Sequence, residues 1–187
     1  MTYYGAKDLA RSFQTVRGNT LTIAEEIGEE HYGFSATPET RTVAKMLVHI
    51  SLVPRLQMQI NGVERRTTLA GFDFPGFVGG LTAEEQTPRS KAQIVELLRS
   101  GGETFAQWLE GVSDDFLGES VAMPYGTPAS KTRFELLLGV KEHEMHHRAQ
   151  LMLMERMLGI TPHLTRQFQA RVAAMQAGQA ASSSAGR

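Results

Sequence analysis

Residues 132–159 read TRFELLLGVKEHEMHHRAQLMLMERMLG. Thr132 with Glu135 three residues later has the form of a capping box, in which each side chain satisfies the other residue's backbone N–H at a helix start. From there Leu136, Val140, His143, His147, Leu151, Met154 and Leu158 recur at three- and four-residue intervals, the spacing of one helix face, and Gly159 supplies the stop. Two histidines thus hold places where an amphipathic helix presents its apolar stripe. His143 and His147 are one helical turn apart, about 5.4 Å, so both imidazoles can converge on one metal ion.

The same stretch spells H-E-x-x-H, the zinc-protease signature, but its setting is wrong. The extended form of that motif asks for Gly and His where this chain has Gln150 and Leu153. The other form takes a glutamate from a following helix, whereas the last acidic residue, Glu155, is on the same predicted helix, and His163 follows Pro162 in an expected turn. Glu144 and His147 form a Glu-x-x-His pair as in di-iron bundles. That architecture needs a second such pair and two further glutamates, and no second pair exists in the chain. The motif therefore points to a mononuclear site.

Three further helices are read outward from this one. Leu9, Phe13, Val16, Thr20, Ile23 and Ile27 mark a first helix ended by Gly28 and Gly33. Thr42 opens a second with Met46, His49, Val53 and Leu56 on one stripe, and Pro54 is expected to kink or end it near Val53. Residues 61–86 read as a long Gly-rich loop whose Phe72, Phe74 and Phe77 either cover the metal mouth or pin the loop to the core. A third helix is expected from Thr87-Pro88 through Ile94, Leu97, Leu98, Phe105 and Trp108 to Gly111, its middle weakened by Gly101-Gly102 at about 1 kcal/mol per glycine. Residues 113–129 read as a second irregular connection. Leu164, Phe168, Val172 and Met175 suggest a short C-terminal helix, and the small polar stretch 179–187 a disordered tail. Four amphipathic stripes without strands define an all-α chain: an antiparallel four-helix bundle with long connections, as a single domain over residues 1–178.

His49 lies on the apolar stripe of the second helix just as His143 and His147 do on the fourth. One such histidine is usually a core residue with a hydrogen-bond partner. Three facing one core would each need a partner, at about 1–3 kcal/mol for every group left unpaired, and a shared divalent ion satisfies all three nitrogens at once. The metal ligands read from the sequence are therefore His49, His143 and His147. His146 lies about 100° off the stripe and reads as a surface residue. Gln150 could orient a ligand, and Glu144 either touches the site or faces solvent. Free imidazole takes up its proton near pH 6.5, so binding is expected to weaken below that pH.

The 187 residues carry 19 Lys and Arg against 20 Asp and Glu, so no electrostatic case exists for nucleic acid or an anionic membrane. No apolar run approaches the roughly 20 residues of a membrane span, and the start lacks a signal-peptide pattern, which points to the cytoplasm. With no cysteine in the chain, any metal is held by imidazole and oxygen, and any thiol chemistry draws its sulfur from a substrate or cosubstrate.

Arg17 with Thr20-Leu21, the segment Thr42 to Ile50, and His143 to Gln150-Leu151 followed by Leu158-Gly159-Ile160 together resemble the DinB-like superfamily of metal-binding four-helix bundles, over roughly Ala6 to Gly159. The third segment is similar to that family's His-x-x-His-His-Arg-x-Gln-Leu signature, and its histidine triad falls on His49, His143 and His147. The resemblance implies one divalent ion, zinc or nickel first with iron and manganese as alternatives, and a homodimer. It also implies a small-molecule substrate, and for the thiol-dependent isomerases and S-transferases of the superfamily a low-molecular-weight thiol. A metal-dependent hydrolase, or a stress-related metal-binding protein without activity, are the alternatives.

Overall fold

A computed structural model of the chain describes residues 4–185, with side chains described as far as residue 179. Four long helices form the bundle: α1 (Ala6–Glu26), α2 (Val43–Gln57), α4 (Lys91–Gly111) and α6 (Arg133–Met157). Around them lie α3 (Phe74–Glu85), α5 (Asp114–Gly118), α7 (His163–Ala185) and a hairpin of β1 (Ser120–Ala122) and β2 (Ser130–Thr132). β1 and β2 pair antiparallel, with Val121 opposite Lys131.

Packing runs α1–α4–α2–α6 and back to α1, so helices consecutive within each half, α1 with α2 and α4 with α6, sit on the diagonals. The Lys91 ammonium on the Glu25 and Ile27 carbonyls joins the end of α1 to the start of α4. Arg133 Nη1 on Asn61 Oδ1 joins the start of α6 to the stretch just beyond α2. α1 and α6 therefore run one way and α2 and α4 the other. Two apolar clusters fill the bundle, one around Ile23, Leu47, Leu98 and Leu151 and one around Leu9, Phe13, Phe105 and Leu137.

The helix starts follow local chemistry. Thr132 and Glu135 form the expected capping box on α6, and Thr42 caps α2 through the Lys45 N–H. The third bundle helix begins later than Thr87-Pro88, because Ser90 and Gln93 make the capping box. Pro54 does not end α2, which runs to Gln57 and continues as a π-helical stretch, Met58–Val63. A proline leaves the carbonyl four residues back without its helical donor. Here that carbonyl, of Ile50, accepts from Arg17 Nη2 at 3.4 Å. The lost bond is replaced from another helix, so the chain has no need to break there.

The long loop is in part a helix. Asp73 caps α3 through the Gly76 N–H, with Pro75 in its first turn, where the missing proline N–H costs nothing. The C-terminal helix is also longer than expected, at 23 residues. It carries the backbone through to Ala185, because the stretch after Gln167 is rich in alanine, the best helix former. The disorder expected for 179–187 falls almost wholly on residues whose side chains lie outside the described set.

Candidate metal centre

α2 and α6 run antiparallel side by side, and His49 of α2 lies opposite the turn of α6 that carries His143 and His147. One ligand nitrogen from each histidine lies within 4.8 Å of the other two, an arrangement that could hold a metal ion. His49 Nε2 and His143 Nε2 approach to 2.9 Å. The ring centroids are 4.8 Å apart for His49 and His147 and 4.5 Å for His143 and His147. His146 is exposed and stands outside the group.

The far nitrogens of two rings are already engaged. His49 Nδ1 lies 3.1 Å from Glu85 Oε2, and His147 Nδ1 lies 2.8 Å from Gln150 Oε1. A carboxylate only accepts, so His49 Nδ1 carries the proton and its Nε2 lone pair faces His143; the Gln150 amide oxygen, as placed, holds His147 in the same tautomer. This is the tautomer a metal requires, fixed by the hydrogen bond on the opposite ring nitrogen. Glu85 is held in turn by Arg41, whose Nε donates to Oε1. The Gln150 amide nitrogen also lies 3.3 Å from His146 Nε2.

All three imidazoles are held below their usual range, His143 to about 4, in each case first by burial; Arg41 and the neighbouring histidines when protonated add to it, while Glu85 opposes it at His49 and Gln150 at His147. They are neutral at neutral pH, as ligands must be. The expected loss of binding near pH 6.5 is therefore displaced to lower pH, because burial makes the proton a weaker competitor.

Sequence reasoning missed Glu85 because α3 was hidden in a Gly-rich stretch. Asp73 two residues before Pro75 was the available signal. Glu144, placed either at the metal or in solvent, does neither: at 2% exposure it faces the bundle interior and pairs with Arg17. Phe74 lines the space beside His143, as one of the two readings of the aromatic loop required, while Phe72 and Phe77 pack on each other with centroids 5.9 Å apart.

Two cavities open on the histidines. One, of about 800 Å³, is lined by His147, Gln150, Arg41, Lys45 and Met46. The other, of about 470 Å³, is lined by His49, His143, Leu52, Leu56, Phe74 and Leu81. Among the described residues no carboxylate or fourth histidine joins the three-histidine group.

Fold and site together define a helical bundle with a three-histidine cluster on the facing sides of two antiparallel helices. The sequence profile of the DinB family matches residues 2–176, and the chain belongs to that family. Solved structures agree on the fold. YfiT from Bacillus subtilis, described as a probable metal-dependent hydrolase with an unusual four-helix bundle topology, superposes with a TM-score of 0.66 at 13% identity, covering 86% of this chain and 91% of its own. A DinB-like protein from Bacillus cereus gives 0.64 at 17% identity over 86% and 97%, and one from Bacillus subtilis 0.60 at 19% over 82% and 92%. Comparison with curated proteins finds no match.

Proposed function

We propose that His49, His143 and His147 hold one divalent ion and that the protein is a metal-dependent enzyme acting on a small molecule. The observation that carries this reading is the convergence of one nitrogen from each of the three histidines to within 4.8 Å, with Glu85 on the far nitrogen of His49 and Gln150 on that of His147. Without a metal, His143 Nε2–H can donate to the His49 Nε2 lone pair at 2.9 Å; an ion would take the place of that proton between rings that are already oriented. Three protein ligands with an open side is the catalytic arrangement for zinc, and structural sites are usually closed by four. A divalent ion there supplies Lewis acidity to a polar group of the substrate. Imidazole suits zinc, nickel and iron alike; zinc or nickel is our assignment, with iron and manganese next.

The chain's own residues do the rest. Glu85 and Gln150 orient the rings, Arg41 holds Glu85, and the apolar walls exclude water. For the reaction we favour transfer or isomerisation assisted by a low-molecular-weight thiol, since a chain without cysteine offers no internal thiolate to occupy the open side. Hydrolysis is the second reading, favoured by the description of YfiT. A cytoplasmic location suits a thiol cosubstrate. A homodimer would cover Phe168, Val172 and Met175, which are exposed on one face of α7.

Metal analysis of the four single His→Ala variants tests the site. His49→Ala, His143→Ala and His147→Ala each leave two ligands and lose the ion, while His146→Ala retains it. Full occupancy in His49→Ala would refute the assignment. Loaded protein is then screened with electrophiles plus a thiol and with esters and amides without one. Turnover only in the second set selects hydrolysis.

A further inference from the structure

The two cavities beside the histidines differ in chemistry, and they share Arg41, Thr82 and Glu85 as a common wall. Arg41 and Glu85 neutralise each other across that wall. On one side Lys45 is half-buried and lines the larger cavity, and its ammonium has no hydrogen bond or ion pair among the described residues. Glu39, the other charge lining that cavity, is exposed. An ammonium without a counter-ion, on a half-buried lysine that lines a cavity, is a place for an anion.

On the other side Leu52, Val53, Leu56, Phe74, Val78 and Leu81 make the lining largely apolar, with Lys131 and Glu135 also contributing. Gly139 lines this cavity too. It lies inside α6, four residues before His143 and so on the same face, where glycine costs about 1 kcal/mol relative to alanine. A Cβ built there meets no atom within 4 Å. Neither close packing nor a positive φ demands glycine at this position. What its missing side chain provides is open space one turn from a histidine of the cluster.

We infer that the site takes an amphiphile: its anionic head lies against Lys45, its aliphatic or aromatic tail passes over Gly139 into the apolar cavity, and its reacting group lies between them at the histidines. Gly139 is thereby a specificity-determining residue that sets how bulky a tail is admitted. This deepens the enzymatic reading and rests on the histidine cluster being the binding site, but the recognition itself needs no metal.

Calorimetry on the full-length, metal-free protein tests it with butyrate, octanoate and octylamine. Octanoate is expected to bind at least ten times more tightly than either of the others, affinity rising roughly two- to fourfold per methylene added to butyrate. Gly139→Phe fills the tail space and removes the chain-length dependence. The variant's circular dichroism and melting curve, expected to match the parent because the added ring enters empty space, keep a folding defect apart from a blocked cavity. Lys45→Met removes the preference for octanoate over octylamine, while Lys131→Met leaves it. Equal binding of butyrate and octanoate, unchanged binding in Gly139→Phe, or loss in Lys131→Met but not in Lys45→Met would each overturn the inference. The two proposals fail separately, because octanoate binding is read on the metal-free parent and its Gly139 and Lys45 variants, and metal occupancy on the histidine variants.

Discussion

Arg17 and Glu144 form a two-point ion pair in the middle of the bundle, Nε to Oε1 at 2.9 Å and Nη2 to Oε2 at 2.9 Å, with both side chains almost fully buried. The guanidinium also donates to the Leu98 carbonyl at 2.6 Å and to Ile50 at 3.4 Å. One side chain of α1 thus bonds to α6, α4 and α2. Because Glu144 follows His143 directly, the same pair fixes the rotation of α6 that turns its histidines toward α2. Breaking one half of a buried pair costs about 3–5 kcal/mol, since the other charge is left without compensation. Arg17→Met should lower unfolding free energy by about that amount in urea titrations. Arg17→Met combined with Glu144→Leu should recover part of it. A loss below about 1 kcal/mol in the single variant would mean the pair is not the brace described here.

Gly102 makes room for that arginine. A Cβ at Gly102 would lie 2.8 Å from Arg17 Cγ and 2.9 Å from Nη1. Alanine ordinarily stabilises a helix interior by about 1 kcal/mol over glycine. Here the clash with an arginine tied at four points should reverse the sign, so Gly102→Ala is expected to melt at a lower temperature than the parent. Gly101→Ala is the control: its Cβ would meet only the Ser51 carbonyl oxygen at 3.6 Å, an ordinary contact, and this variant should hold or gain stability.

How much of this was legible in the sequence depends on whether a residue reports through periodicity. The four bundle helices did, because each carries a stripe of large apolar residues, and the three histidines stood out by interrupting those stripes. Arg17 did not. A buried charge is compensated by partners from three other segments, and no local pattern announces that. Pro54 misled for the same reason, since the carbonyl it orphans is satisfied by a residue 33 positions away. α3 was hidden by Gly76, Gly79 and Gly80, which lower helix propensity without forbidding a helix once Asp73 and Pro75 start it. The hairpin at 120–132 has strands of three residues, too short for an alternation to show.

Glu85 should tune the metal without binding it. Its carboxylate accepts from His49 Nδ1 and from Arg41, so it holds the ring's tautomer and raises its basicity. Glu85→Gln is expected to weaken zinc or nickel affinity roughly 10–100-fold in a competition assay with a chromogenic chelator. The fold should persist, because the glutamine amide oxygen can still accept from His49. An unchanged affinity would show that the carboxylate serves only to anchor Arg41.

Glu155 should make stability depend on pH. Its side chain is fully buried on α6, and neither carboxylate oxygen has a partner among the described residues. Burial, reinforced by the charge of Glu26 and opposed by Arg166 and Arg156, pushes its pKa from 4.5 to about 7. The folded protein therefore holds this proton more tightly than the unfolded chain does. The associated stability is fully present below pH 4.5 and is lost as pH rises through 7. Glu155→Gln keeps the shape and removes the titration. Its advantage over the parent in urea unfolding should grow from pH 5 to about pH 7 and level off by pH 8. His163, whose pKa is lowered by burial, also titrates at this end of the bundle, so the difference between the two proteins is the quantity to follow rather than either profile alone. A difference that stays flat between pH 5 and pH 8 would mean the carboxylate ionises in the folded state as readily as in water.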